Sequence, residues 1–457
     1  MSAHRVRNLA KHIASRLPTR DLPIMVRLAR GGFWSLVGEA GSRAFSFASA
    51  IVVARWLGVA EYGAFALIQS TLATLMTFAL CGMGLTSARY VGALRNTDLA
   101  RVERINSLAL LFATLTGLVT MVALFVAAPY VASTFLGEAD LTGPLRTVAP
   151  TLLLCALSGA AGGAIAGFEA FREYTKVSWA SSFGNFVAII AGVWFFGLWG
   201  AITGLVVGEL LRCGLTIRLA RRIMRQNGLA LLGRAHLGEA RILWEFSLPL
   251  LLTSVVFTSI TWLCQTMIAR QPNGLIEIGL YDAAQKCTTF VMLVPVAASL
   301  GFGPVLANLS GDGDASMQKR LTVNLAIVQL LLTAVPATIV ALAAPWVPFV
   351  FGPGFEAVPP VVVTMMALAP VFVLRQLYWQ TTVSSGHAWT TFLLSIVWAA
   401  VAAGVTWSGQ AGGAVSLAKA MLAAYGATLL ANVLMLEWFW RRGSVDWSGS
   451  SRAGAEG

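Results

Sequence analysis

Eight ionisable side chains lie inside long apolar runs of this sequence, where charge is least expected. The basic ones are Arg43, Arg212, Lys286, Arg375 and Lys419, and the acidic ones are Glu39, Glu209 and Asp282. A charge at the centre of a bilayer costs roughly 2.5–3.5 kcal/mol, so such side chains must face one another, water or a ligand. Bases that face a ligand would select an anionic one, and this is the first indication of function.

Pairing between neighbours on one helix is the competing interpretation. Three acid–base pairs have the required spacing of three or four residues, namely Glu39 with Arg43, Asp282 with Lys286, and Glu209 with Arg212. Arg375 has no acid at such a spacing. The spacing alone therefore does not decide between a cationic site and local ion pairs.

We expect Arg43, Lys286 and Arg375 to form a cationic cavity that binds substrate, with local pairing as the alternative. For Arg212, which Glu209 can pair, and for Lys419, pairing or snorkelling to the membrane edge is favoured over a place in the site. Glu39 and Asp282 are candidates for ion coupling as well as for pairing.

The composition places the whole chain in a membrane. Of the 457 residues, 57% are hydrophobic and 11% are charged, whereas about 25% are charged in soluble domains. The backbone must satisfy its own hydrogen bonds in lipid, which leaves helices or a closed barrel. Continuous apolar runs of about 20 residues favour helices. We predict an all-α integral membrane protein.

Twelve membrane-spanning helices are predicted, and the basic residues orient them. The predicted spans are 33–55, 63–88, 107–130, 146–168, 178–198, 200–219, 246–268, 280–306, 321–350, 358–383, 389–408 and 413–440. The odd-numbered loops contain only Arg55, Arg146 and Arg270, so the positive-inside rule places both termini in the cytoplasm. The formal net charge of +12 is then a topology signal, and no nucleic-acid partner is expected.

Two halves of the chain repeat the same landmarks at one spacing. Arg55 and Arg270 are 215 positions apart, as are Gly137 and Gly352. Further pairs at 218 to 220 are Asn106 with Asn324, Tyr62 with Tyr281, Gly167 with Gly386, and Ala149-Pro150 with Ala369-Pro370. Because each half has an even number of spans, we predict parallel six-helix lobes related by a pseudo-twofold axis along the membrane normal.

This repeat divides the chain into five segments. They are a basic, amphipathic cytoplasmic tail (1–30), an N-terminal lobe (31–219), a basic cytoplasmic linker (220–245), a C-terminal lobe (246–440) and a disordered cytoplasmic tail (441–457). Glycines spaced by four, such as Gly159, Gly163 and Gly167, predict close packing of helices. The five cysteines lie singly inside spans, so no disulfide, metal site or cofactor is predicted.

The sequence also resembles a known family at two places. The run Ala54-Arg55-Trp56-Leu57-Gly58 followed by Glu61-Tyr62-Gly63 is similar to the motif that closes span 1 in Wzx-type polysaccharide and O-antigen flippases. These flippases belong to the multidrug/oligosaccharidyl-lipid/polysaccharide exporter superfamily. The run Phe351–Ala357 resembles the segment between spans 9 and 10 of that family.

The resemblance implies a transporter of the bacterial inner membrane, not an enzyme. Its cargo would be a polyprenyl-pyrophosphate-linked glycan, and other polysaccharide assembly proteins would be further partners. In such families spans 1, 2, 7 and 8 line a cavity between the lobes, which would place Arg43 and Lys286 in the cavity. An anionic, polar head and an apolar tail also suit a cationic cavity that opens sideways to lipid.

Three functions follow as hypotheses. The first is a flippase that moves a lipid-linked oligosaccharide, a repeat unit of O-antigen, exopolysaccharide or capsule, by alternating access. The second is a cation-coupled multidrug exporter of the same superfamily, against which the excess of buried bases argues. The third is a membrane glycan polymerase, ligase or glycosyltransferase. The longest odd loop, around 131–145, is short for such an enzyme and contains no histidine.

Overall fold

A computed structural model of the chain describes residues 22–231, 233, 240–300, 315–384, 388–409 and 412–442. These residues are nearly all helical, and no strand occurs among them. The predicted all-α fold class is confirmed. Most of the predicted N-terminal tail, up to residue 21, and the C-terminal tail from residue 443 lie outside the described residues.

In the described residues of the first half there are six α-helices. They are α1 (Leu22–Leu80), α2 (Met83–Leu94), α3 (Leu99–Tyr130), α4 (Thr142–Val148), α5 (Pro150–Gly167) and α6 (Phe171–Gln226). A π-helical turn (Val131–Leu136) and a 3-10 turn (Ala139–Leu141) connect α3 to α4. These two turns occupy the segment that the sequence assigns to the longest odd loop.

The second half contains eight α-helices among the described residues. They are α7 (Ala240–Ala269), α8 (Gly274–Val291), α9 (Leu293–Leu300), α10 (Ala315–Leu342), α11 (Val347–Phe351), α12 (Pro359–Ser384), α13 (Ala388–Ser408) and α14 (Gly413–Arg442). A 3-10 turn (Ala344–Trp346) precedes α11. The predicted spans 358–383, 389–408 and 413–440 agree with α12, α13 and α14 to within two residues at either end.

Nine helical segments in the described part of the chain are long and apolar enough to cross a membrane. Two of them contain a non-helical glycine, Gly58 in α1 (φ 77°) and Gly197 in α6 (φ 56°). A positive φ costs glycine little and costs other residues more. Gly58 lies between the predicted spans 33–55 and 63–88, and Gly197 lies within one residue of the boundary between 178–198 and 200–219. Helices α1 and α6 therefore each contain two predicted spans. The total of twelve spans stays a prediction.

Several predicted boundaries are wrong. Span 63–88 is interrupted at Cys81 and Gly82, which both have positive φ. Span 280–306 is interrupted at Met292, because Pro295 has no N–H to donate to the carbonyl group of Val291. The helix that was expected to end at 219 continues to Gln226, well into the predicted linker.

Glycine allows α5 and α2 to approach closely, as the spacing of four predicts. A Cβ atom added to Gly163 would overlap the backbone of Gly84, and one added to Gly167 would overlap the side chain of Val91. Small residues at these positions let two backbones make van der Waals contact, which drives helix association in lipid.

The two halves contact each other through corresponding residues. Gly63 of α1 and Gly279 of α8 are so close that a Cβ atom on either would overlap the backbone of the other helix. The spacing between these glycines is 216. Two further contacts are reciprocal. Gly352 of the second half lies against Arg55 of the first, and Gly137 of the first half lies against Arg270 of the second. Such reciprocity is characteristic of a twofold axis.

Replacing Gly163 by leucine is expected to destabilise the protein by about 1–3 kcal/mol, because the added side chain must displace the backbone of Gly84. The thermal midpoint of the purified protein measures this effect. Gly404→Leu is the matched control, since no atom lies within 4 Å of a Cβ placed at that helical glycine. Equal midpoints for the two variants would contradict the packing argument.

Candidate functional site

A cavity of about 690 Å³ lies between the two halves. Its wall comes from α1 of the first half and from α7, α8, α9, α12 and α14 of the second. Three of the predicted site residues line it, namely Arg43, Asp282 and Lys286. The fold thus brings together bases that are separated by more than 240 positions in the sequence.

Arg43 connects the two halves at the wall of this cavity. Its Nε atom donates a hydrogen bond to Oε1 of Glu39 at 2.7 Å, as the spacing of four predicts. Its Nη1 atom donates to the carbonyl oxygen of Thr289 in α8 at 3.2 Å. The side chain of Glu39 is 56% exposed and that of Arg43 is 26% exposed. An exposed ion pair is weak, so Arg43 can exchange Glu39 for an anionic ligand at low cost.

Lys286 and Asp282 form the second charged pair in the wall. Lys286 Nζ lies 3.6 Å from Oδ1 of Asp282 and 3.5 Å from Oε1 of Gln69 in the first half. The other carboxylate oxygen of Asp282 accepts a hydrogen bond of 2.6 Å from the hydroxyl group of Tyr62, also in the first half. Asp282 therefore links a cavity base to the buried contact between the halves.

Local pairing and a place in the cavity are both observed for Arg43 and Lys286. Each base contacts the acid four residues before it, and each also lines the central cavity. The two interpretations that the sequence left open are compatible, because a paired base can still present N–H groups to a ligand. Substrate binding by these residues stays a prediction.

The cavity also contains amides and aromatic rings that were not among the predicted site residues. The wall contains four glutamines, Gln69, Gln265, Gln285 and Gln376, and four aromatic residues, Phe257, Tyr281, Phe372 and Tyr425. Each amide offers both donors and acceptors, as sugar hydroxyl groups require. All four glutamines lie inside predicted spans, so a search for uncharged polar residues in those spans would have found them.

Arg375 lies behind the aromatic wall and is not among the cavity-lining residues. It is buried, with 7% of its surface exposed, and its guanidinium carbon lies 4.3 Å from the ring centre of Phe257 and 5.4 Å from that of Tyr425. Cation–π contacts of this kind contribute about 2 kcal/mol when they are desolvated. Direct contact with a ligand would require these rings to move.

The remaining predicted residues lie elsewhere. Arg212 and Glu209 are bonded to each other at 2.7 Å and line a smaller cavity of about 360 Å³ within the first half. Gln69 and Ala73 line both cavities, so the two are adjacent. Lys419 is exposed and lines neither of them.

At the two sequence motifs the halves are in contact with each other, and we call this the closed end. Arg55 donates hydrogen bonds to the carbonyl oxygens of Val350 (2.7 Å) and Phe349 (2.5 Å). In the turn that follows, the backbone N–H groups of Gly354 and Glu356 lower the pKa of the Glu356 carboxyl group. The hydrogen bonds of Arg55 thus connect the first motif to the segment that begins the second.

Metal binding has no support in the part of the chain that the structure describes. No group of three histidine, cysteine, aspartate or glutamate side chains there is close enough to hold an ion. The five cysteines are all free thiols.

Solved structures with the same fold are transporters. An inward-facing MATE family multidrug transporter of the MOP superfamily superposes with a TM-score of 0.72 at 12% identity, over 88% of this chain and 95% of that one. A MOP superfamily transporter from Pyrococcus furiosus, described as having a binding pocket of reverse polarity, gives 0.68 at 11% identity over 91% and 96%. The chain therefore has the fold of a MATE-like membrane transporter.

Sequence comparison is more specific. Residues 28–310 match the polysaccharide biosynthesis protein family, and the chain belongs to that family. The EPS I polysaccharide export inner membrane protein EpsE of Ralstonia solanacearum is 24% identical over 429 residues, covering 92% of this chain and 95% of that protein. EpsE of Ralstonia nicotianae is 24% identical over 407 residues, covering 87% and 90%.

Tyr62→Phe is expected to favour opening of the closed end, because it removes the hydrogen bond between Tyr62 and Asp282. Hydrogen bonds to charged groups contribute about 1.5–3 kcal/mol, which is roughly a tenfold to hundredfold change in the ratio of closed to open molecules. Spin labels can be placed at Phe196 and Trp346, one in each half and both exposed. The distance between the two labels should be longer in Tyr62→Phe than in the wild type.

Tyr130→Phe is the control for this measurement. Tyr130 is 61% exposed, and its only described ring contact is with Phe135 in its own half. Its replacement should leave the distance distribution unchanged. A distribution that Tyr62→Phe also leaves unchanged would show that the hydrogen bond does not hold the halves together.

Proposed function

We propose that this chain is a flippase that moves a polyprenyl-pyrophosphate-linked oligosaccharide from the cytoplasmic to the periplasmic leaflet of a bacterial inner membrane. The observation that carries this proposal is a cavity between the halves that is lined by Arg43, Lys286 and four glutamines. Membership in the polysaccharide biosynthesis family and the similarity to EpsE support a glycan cargo.

The pyrophosphate would bind at the two bases. The guanidinium group of Arg43 matches two phosphate oxygens at once, while the ammonium group of Lys286 acts as a point charge. Glu39 and Asp282 neutralise these bases while the cavity is empty, which reduces the cost of keeping them in the membrane. Binding is then an exchange of a carboxylate for a phosphate, and no covalent step is required.

The sugars would bind beside the pyrophosphate. The amides of Gln69, Gln265, Gln285 and Gln376 can both donate to and accept from hydroxyl groups, and the aromatic rings provide apolar faces. The polyprenyl tail needs no protein cavity, because it can stay in lipid while the head is inside.

Alternating access would follow from the contacts between the halves. The closed end is the periplasmic one in the topology proposed from the basic residues, so cargo enters from the cytoplasmic side. Asp282 contacts both Lys286 and Tyr62. A phosphate that binds Lys286 changes the charge around Asp282 and therefore the bond that holds this end closed. Cargo binding and opening are coupled through one carboxylate.

Lys286→Ala and Arg43→Ala should insert normally and lower export of the lipid-linked glycan at least tenfold, because each removes a charged contact worth about 1.5–3 kcal/mol. Complementation of a deletion strain, with the sidedness of the accumulated intermediate, measures this effect. Lys419→Ala is the control, since that lysine lies outside both cavities. Wild-type export in the two cavity variants would refute the assignment.

Membrane potential alone is expected to drive transport. Moving two negative charges outward across an inside-negative potential of 100 mV yields roughly 4–5 kcal/mol, at about 2.3 kcal/mol per charge. Proteoliposomes with a potassium diffusion potential, and with no proton or sodium gradient, should flip the cargo faster than unpolarised ones. Equal rates would point instead to ion coupling at Glu39 or Asp282.

A cation-coupled multidrug exporter is the alternative, favoured by one observation. Asp282 lines the cavity, and the solved MATE structures with this fold are multidrug transporters. However, Lys286 and Tyr62 already occupy both oxygens of this carboxylate, which leaves little negative charge for a cationic drug. Efflux of cationic dyes by cells that express the protein distinguishes the two functions. Glycan polymerase or ligase activity is tested by sugar transfer with the pure protein.

A further inference from the structure

A large groove in the first half shares no lining residue with the central cavity. Its volume is about 1050 Å³, and α5 and the end of α6 form its walls. Leu154, Leu157, Leu210 and Ile217 line the apolar part. No predicted site residue lines it.

Four arginines line the other part of this groove. Arg218, Arg221, Arg222 and Arg225 occupy one face of α6 at helical spacing, and all four are exposed. None of them has a hydrogen bond or an ion pair with any residue in the described ranges. The preceding acid of α6, Glu209, is already bonded to Arg212.

Such a cluster of like charges is unfavourable on one helix, and an anion beside it would relieve the repulsion. Like charges three or four residues apart destabilise a helix. The helix dipole favours cations only in the last turn. This accounts for Arg225, close to the end of α6 at Gln226, and not for Arg218, which lies two turns earlier.

The dimensions of the groove fit a lipid. From Leu210 to Arg225 the helix rises about 22 Å at 1.5 Å per residue, which is more than half of the roughly 30 Å hydrocarbon thickness of a bilayer. Gly214 lies between the apolar and the basic part, and no atom lies within 4 Å of a Cβ placed on it. The groove is therefore open at Gly214.

We propose that this groove binds one acidic phospholipid of the surrounding bilayer. The phosphate and the headgroup lie against the four arginines, and an acyl chain follows the leucines and Ile217 towards the middle of the membrane. Basic pockets between membrane helices recognise acidic lipids in this way. The proposal does not depend on the identity of the transported cargo.

Native mass spectrometry of the full-length protein in detergent tests this proposal, with added phosphatidylglycerol or phosphatidylcholine of the same acyl chains. The wild type should retain phosphatidylglycerol in preference. Arg221→Gln/Arg225→Gln removes two charges, each worth about 1 kcal/mol at a lipid surface, and should weaken phosphatidylglycerol binding about thirtyfold. Arg221→Lys/Arg225→Lys keeps the charge and should retain most of the binding.

Two further variants separate a specific groove from general charge. Gly214→Leu fills the open wall without a change of charge and should also weaken binding of phosphatidylglycerol. Arg104→Gln/Arg320→Gln removes two basic residues outside the groove and should have no effect. Equal binding of the two lipids, or an equal loss in this last variant, would overturn the proposal. Undecaprenyl phosphate is tested in the same way. The proposal would also be overturned if this lipid bound more tightly than phosphatidylglycerol and if the groove variants lost only the binding of undecaprenyl phosphate.

Discussion

The carboxylate of Asp282 is the point on which the central cavity depends. One of its oxygens lies beside Lys286, and the other accepts a hydrogen bond from Tyr62 across the boundary between the halves. Inside a membrane, each of these groups would be costly without its partner. The same carboxylate therefore stabilises both the cationic wall and the closed end. A change at Lys286 is expected to alter the hydrogen bond to Tyr62, and a change at Tyr62 is expected to alter the contact with Lys286.

This arrangement explains how a transporter can keep bases in lipid without a permanent ligand. Arg43 and Lys286 are each neutralised by an acid on the same helix. All four side chains of these two pairs are partly exposed, from 20% for Asp282 to 56% for Glu39. Partial exposure keeps these ion pairs weak enough to exchange. Arg375 shows the opposite solution, since it is buried against the faces of Phe257 and Tyr425. It supports the wall from behind.

Much of the fold was predictable because its signals are local. Apolar runs locate helices, and Gly58 lies at a helix junction that the loop between two predicted spans anticipates. Local spacing also identified the pairs Glu39–Arg43 and Asp282–Lys286. The helix breaks at Cys81 and Met292 were missed, because both lie within continuously apolar sequence and hydropathy does not register backbone geometry. The wall of the cavity was missed in part because it depends on contacts between distant segments.

The aromatic screen in front of Arg375 illustrates this limit. Phe257 and Tyr425 are separated from Arg375 by 118 and 50 positions, and no local pattern announces that they cover it. Gln69 was missed for a different reason. An uncharged amide in an apolar run costs little enough to escape a search for charge, yet it contacts Lys286 from the other half.

The reciprocal contacts at the closed end contrast with the residues inside the cavity. Gly63 and Gly279 correspond at a spacing of 216, whereas the positions that precede Asp282 and Lys286 by the same spacing are Ala66 and Ser70. The glycines are thus matched where the halves meet, and the charged residues are not matched where they line the cavity. In a chain built from two similar halves, matched contacts at the boundary keep the halves packed together, so charged residues can differ between the copies without loss of that packing.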